Sequence, residues 1–424
     1  MQRTAALPLA PVLCLAVLFT LVAVVPSPAM DVEVQSETIV RFFERDTAAG
    51  NDQKVVPVYE YVQIAAGELE GKGLSFHAYG WGRTDLADNG YFDDRSQGEF
   101  LYGYIQYTRE EANFAAQLGR QYVFAGVSNE SVDGLSLSAD LGSLFSFSAY
   151  GGQPVALEEV NGRDGDRIYG GRLGHHMGRL YDLGVSYKRV DNDGDTQEEV
   201  LGVDSTLNAG TFATLHGYSV RNLTTDQWQE HSYQARIPVQ QLILQPYFQR
   251  FDYDAYFDTG VNTGSPFRFL ADASETVTIL GGDATWNATS ALEFGARAKH
   301  FNYKERDENA RYFAGLATWH LASPSQVGGE VGRMNGDTDN TTYTQVRGFF
   351  YREMAPGFVS GDAVYVHYDA DILGEGRSVF ASLSGGMRFL EETLEVSLTG
   401  DYSADPYFDR DLRAMINLKY LFQL

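Results

Sequence analysis

Cysteine is almost absent: Cys14 is the only one in 424 residues. That excludes a disulfide framework, a thiolate metal site and a C-x-x-C-H haem attachment, so this chain holds no cofactor of that kind. Basic charge is also short, with 32 Lys and Arg against 57 Asp and Glu, a formal net charge of -25. A chain of that sign is no phosphate-backbone binder, which removes nucleic acid as a partner. Proline is scarce at 12, and beyond residue 29 no apolar run is long enough to cross a bilayer as a helix. Aromatic residues are plentiful, 26 Tyr, 26 Phe and 4 Trp, beside 44 Gly. That mixture suits strands and tight turns.

Arg3 is the only charge before Asp31, and Ala5 to Val25 is almost wholly apolar, ending in Ser27-Pro28-Ala29. The pattern predicts a signal peptide over 1–29 and a single domain over 30–424. Pro8 and Pro11 interrupt the apolar run and no basic cluster follows it, which disfavours an uncleaved anchor. Cys14 follows Pro11-Val12-Leu13, without the small neighbour of a lipid-attachment cysteine, and reads as apolar filler.

From residue 34 onward, segments of alternating polarity are separated by clusters of Gly, Asp, Asn, Ser and Pro. In the clearest, Leu394, Val396, Leu398, Gly400 and Tyr402 alternate with Glu395, Ser397, Thr399 and Asp401. A soluble sandwich alternates too, so the connections decide. Eleven longer acidic intervals, among them 45–54, 125–132, 191–196, 254–272, 369–376 and 404–409, alternate with ten short ones such as 66–73, 205–210 and 389–392. The rhythm predicts an all-β, transmembrane antiparallel β-barrel of about 22 strands (range 18–22), with both termini on the periplasmic side of a bacterial outer membrane. Faces are ambiguous in 98–109, 167–174, 211–221 and 358–368. In the last strand Ala414, Ile416, Leu418, Tyr420, Phe422 and Leu424 share one face, and Tyr420, Phe422 and Leu424 are expected to meet lipid. The pattern resembles the terminal strand read by the barrel-assembly machinery of Gram-negative bacteria, except that Leu rather than Phe ends it.

Strands ~4.8 Å apart and tilted by ~40° give 22 of them a backbone diameter of ~44 Å and a lumen of ~25–30 Å. Barrels of that size normally carry a plug, yet the segments consume nearly the whole chain, so no plug domain is expected. Ser36-Glu37-Thr38-Ile39-Val40 resembles the energy-coupling box of plugged transporters, but no plug length separates it from the next strand, and it reads as first-strand sequence. The bore is then either narrower than counted and open to solutes, or filled by another protein.

The inward set by parity is Asp182, Lys188, Glu230, Arg236, Glu293, Arg297, Lys299, Arg347, Arg388, Glu395, Asp401, Arg413 and Lys419, a mixed-sign, wet wall. Arg120 shares a face with Phe114, Leu118 and Tyr122, which aims it at lipid; a bulge at Gly119 is expected to turn it inward. Asp191-Asn192-Asp193-Gly194-Asp195 with Glu198 and Glu199 offers oxygen ligands for calcium, against the plainer reading of a solvated hairpin tip. His175-His176 reads as a solvated pair, since neighbours on a strand face opposite ways. No Ser, His and acid grouping suggests catalysis.

Leu74-Ser75-Phe76-His77-Ala78-Tyr79-Gly80-Trp81-Gly82-Arg83, Gly103-Tyr104-Ile105-Gln106-Tyr107, and Leu118-Gly119-Arg120-Gln121 followed by Asp133-Gly134 resemble the first third of outer-membrane porin-like barrels. The Gly-Arg-Gln element with Asp-Gly is similar to alginate-export porins. With Val40-Arg41-Phe42-Phe43-Glu44-Arg45, the run over 37–155 resembles the barrel component of porin–cytochrome conduits of metal-reducing bacteria. The resemblance implies a sheath around periplasmic and surface multihaem c-type cytochromes, with haem on the partner only. A diffusive or solute-selective porin is the alternative.

Overall fold

A computed structural model describes residues 31–423, apart from 48–49, 70–71, 89, 110, 112, 156–165, 193, 257–273 and 322–323. The expected leader, Cys14 and Leu424 lie outside the described residues. Twenty-three strands form, in chain order β1 (Asp31–Thr47), β2 (Gly50–Val55), β3 (Pro57–Gly67), β4 (Gly73–Asp85), β5 (Ser96–Thr108), β6 (Phe114–Ala125), β7 (Ser128–Leu141), β8 (Phe145–Pro154), β9 (Arg167–Met177), β10 (Tyr181–Asn192), β11 (Asp195–Asn208) and β12 (Thr214–Asn222). The second half holds β13 (Gln227–Val239), β14 (Leu242–Asp252), β15 (Thr276–Asn287), β16 (Leu292–Tyr303), β17 (Glu308–His320), β18 (Gln326–Gly336), β19 (Tyr343–Met354), β20 (Gly357–Ile372), β21 (Glu375–Phe389), β22 (Leu394–Asp405) and β23 (Phe408–Gln423). Every neighbour is antiparallel, and β1 closes the ring by pairing with both β3 and β23.

The closed barrel has 22 strands, and β2 stands outside it. Val40 pairs with Val58 and Phe43 with Val55, so β2 continues β3 in the same register beyond Val56. The break falls before Pro57, which has no N–H to give the ladder. Among the described residues no segment crosses the bore as a plug.

The turn positions follow the expected rhythm, with one correction. Intervals 45–54, 125–132, 191–196, 369–376 and 404–409 are not long loops. Strands run on through them and meet at turns such as Ala125–Ser128 and Ile372–Glu375. The asymmetry between the two rims lies largely in how far ladders protrude, because paired strands satisfy backbone groups as well as a loop does.

Which face is concave follows from one contact. Lys188 of β10 reaches Glu130 of β7 at 2.8 Å, although β8 and β9 lie between them. Strands three apart in a closed sheet meet only on its inner side. Directly paired residues share a face, so the register carries this assignment around the ring.

The wall bends sharply here. Gly119, Gly134 and Gly152 pair in a row across β6, β7 and β8. A Cβ on any of them would sit 2.2–2.3 Å from a neighbouring carbonyl oxygen, so only glycine lets the sheet coil this tightly. Above the bend Val123, Ala125, Val132, Tyr150, Ile168 and Val190 form a dry inner corner. Gly119 also has φ +129. Gly119→Ala is expected to destabilise the folded barrel by ~1–3 kcal/mol, read as a lowered midpoint in chemical unfolding.

Candidate functional site

The concave wall has two chemical regions. One is a charged lattice whose members come mostly from different strands. Arg172 Nε donates to Asp204 Oδ1 at 3.0 Å and its Nη2 to Asp182 Oδ1 at 2.6 Å. Lys188 sits between Glu130 and Glu198, 2.8 Å from each. Arg297 meets Asp283 at 2.9 Å, Arg388 meets Glu395 at 3.0 Å and also Glu353, and Arg347 pairs with Asp362. Near the closing seam Arg413 Nε donates to Asp411 at 2.7 Å, and Lys419 lies 3.6 Å from Glu37.

The thirteen residues singled out by parity all fall on this face by register. Glu230 accepts from Tyr218, and Lys299 stands 5.9 Å from the Tyr247 ring centre. Arg236 pairs with Thr214, Glu293 with Thr318 and Asp401 with Arg413. Their partners Arg172, Glu130, Asp204, Asp283, Glu353 and Asp362 escaped the sequence reading, because a cross-strand partner is set by register, which alternation does not reveal.

The other region is an aromatic wall on β3, β4 and β5. His77 stacks on Tyr104 at 5.0 Å, Tyr104 neighbours Tyr102 at 5.7 Å, and Tyr102 neighbours Tyr79 at 5.4 Å. From Tyr79 the contacts continue to Tyr61 at 6.4 Å, then to Tyr59 and Trp81 at 6.3 and 6.5 Å. At the far rim Arg83 lies 3.6 Å over Phe92, and Tyr91 joins Phe92 to Phe43. Polar groups edge the rings: Trp81 Nε1 donates to Glu99 at 3.3 Å and Arg41 stands 5.3 Å over Tyr59. The signal was present in sequence as aromatics two apart in three successive segments, Tyr59/Tyr61, Tyr79/Trp81 and Tyr102/Tyr104. A bulge between Tyr79 and Gly80 in the β4–β5 ladder makes 98–109 ambiguous to parity.

Arg120 corrects its expectation. Pairing through Gly119 is continuous on both sides, Tyr104 with Gly119 and Gly119 with Gly134, so there is no bulge and the guanidinium stays on the convex face. Its Nε and Nη2 donate to Asp133 Oδ1 and Oδ2, both at 2.9 Å, and Nη1 to the Phe100 carbonyl at 2.8 Å. A facing carboxylate satisfies it in place of a turn inward.

Among the described residues the acidic hairpin tip does not assemble a cation site. Glu198 points inward to Lys188, while Glu199 accepts from Tyr187 on the opposite face; Asp193 lies outside the described residues. His175 packs between Phe145 and Tyr181 on the convex side, and His176 faces the other way. Tyr420 and Phe422 lie on the convex face, paired with Ser36 and Val34.

No known family pattern and no curated protein matches the sequence. Solved structures do. The siderophore receptor PirA from Pseudomonas aeruginosa matches over 92% of this chain and 80% of its own, with a TM-score of 0.57 and 10% identity. The P pilus usher PapC translocation pore matches over 92% and 99%, with a TM-score of 0.50 and 8% identity. OccAB4 from Acinetobacter baumannii covers 93% and 98% at 0.47 and 10%. What is shared is the large closed barrel. At these identities the likeness is one of fold.

Proposed function

We propose that the chain is an outer-membrane, porin-like barrel that sheathes a multihaem c-type cytochrome and so insulates an electron path across the membrane. The observation that carries this reading is the aromatic wall inside a wide bore. A 22-strand ring has a lumen of ~25–30 Å, and an unfilled hole of that width would end the membrane's sieving. The rest of the inner wall largely neutralises its own charges, whereas the rings of β3–β5 present apolar area with few partners, as the face of an interface does. On this reading both chain ends are periplasmic, the terminal strand is the segment received by the barrel-assembly machinery, and haem belongs to the partner.

The test is purification from native membranes. Haem absorbance is expected to travel with the barrel, and Tyr61→Ala with Trp81→Ala to reduce the co-purified haem at least tenfold while the barrel still folds. A haem-free barrel giving a stable, solute-blocked conductance in planar bilayers would replace the sheath with a solute-selective porin.

A further inference from the structure

We propose that the convex face of β3–β6 is a two-fold interface between two copies of this chain, with Glu60 of each copy opposite Arg120 of the other. The inference rests on the membrane-barrel reading and not on what fills the bore.

The convex face of this sector carries charge inside an apolar belt. On β1 it runs Val34, Ser36, Thr38, Val40, Phe42; on β3, Ile64, Val62, Glu60, Val58; on β6, Leu118, Arg120, Tyr122, Phe124. Glu60 and Arg120 each have apolar neighbours above and below. Arg333 on β18 differs, being followed on its face by Asn335, as expected of a rim. Both Glu60 oxygens accept hydroxyl hydrogen bonds, from Ser36 Oγ at 2.6 Å and Thr38 Oγ1 at 2.5 Å. Among the described residues no cation reaches it. A carboxylate held so in hydrocarbon is unfavourable without a counter-charge.

Arg120 offers one. Its three hydrogen bonds use three of five guanidinium donors, and two remain. Glu60 stands seven residues before the Gly67 end of β3, and Arg120 six residues after the Phe114 start of β6, so both lie at one level. The strands are ~14 Å apart, three spacings of ~4.8 Å. Between them Gly82 pairs with Gly98, a bare patch beside the exposed Phe100 ring, which gives another sheet an apolar contact. A two-fold axis along the membrane normal, placed between β4 and β5, exchanges β3 with β6 at constant height. That operation sets Glu60 against Arg120 of the partner subunit twice over, a closed, self-complementary contact.

Cross-linking tests this in native membranes, using the full chain in a Cys14→Ser background. A Cβ at Gly82 would find its nearest atom, the Gln97 oxygen, at 4.0 Å, so Gly82→Cys fits. Oxidation is expected to give a band of twice the mass for Gly82→Cys and none for Ala296→Cys, on the convex face across the barrel. Adding Glu60→Lys is expected to lower the cross-linked fraction at least tenfold while the heat-modifiable, folded form persists. A Gly82→Cys chain that stays single, or links to a protein of different mass, overturns the proposal, as does undiminished cross-linking with Glu60→Lys. Absence of the chain from the outer-membrane fraction removes the membrane reading, and the interface with it.

Discussion

Lys188→Met is expected to cost the folded barrel about 3 kcal/mol, the low end of the range for breaking a buried ion pair. The side chain is only 7% exposed and holds two carboxylates, Glu130 and Glu198, from strands on either side. Removing the ammonium leaves two like charges facing each other beside the dry corner of Val123, Val132 and Ile168. The carboxylates keep some access to water, which limits the loss. The triple variant Lys188→Met, Glu130→Gln, Glu198→Gln is expected to return to within ~1 kcal/mol of the parent, because no uncompensated charge remains. Urea unfolding of the detergent-solubilised barrel reads both values. A single variant as stable as the parent would mean that the corner is open to water.

Arg120→Leu carries an expected loss of similar size, ~3 kcal/mol, for a different reason. It strands Asp133 on the convex face, where no water screens it. Asp133→Leu strands the arginine instead, at a cost of ~2–4 kcal/mol near the belt centre. In the detergent-solubilised single copy, where Glu60 meets no partner subunit in either protein, Arg120→Leu with Asp133→Leu is expected to fold as well as the parent. The two single losses then exceed the double one, and the coupling is the signature of a paired charge in lipid. Equal, additive losses would place the pair in a hydrated rim.

Strand content and turn spacing were legible because alternation and turn residues are local. β22 shows this: Leu394, Val396 and Leu398 face out while Glu395, Ser397 and Thr399 face in, and the ladder with β23 keeps that order. The first hairpin was not: 45–54 reads as a long acidic connection, yet β1 and β2 pair through it as far as Thr47 and Gly50. What the sequence withheld was register. Parity placed Arg120 on the outer face, and the bulge expected to turn it inward is absent; its answer is Asp133, thirteen residues away, and only pairing brings them together. The dry corner escaped for another reason. Val123, Val132 and Ile168 are apolar on the inner face, which reverses the usual order, and the cause is a glycine row that bends the sheet across three strands. The aromatic wall was written in the spacing of its tyrosines, yet ring contacts needed three segments brought side by side.

The seam between β1 and β23 sets the order in which this molecule can be made. Asn417 and Glu37 are hydrogen-bonded partners 380 positions apart, so the edge of the first strand has nothing to bind until the last has been delivered. Until then the growing sheet has two raw margins of unmet amides and carbonyls, intolerable in hydrocarbon. Closure therefore comes last, all at once, and a chain cut short of its final strand is left an unsealed ribbon.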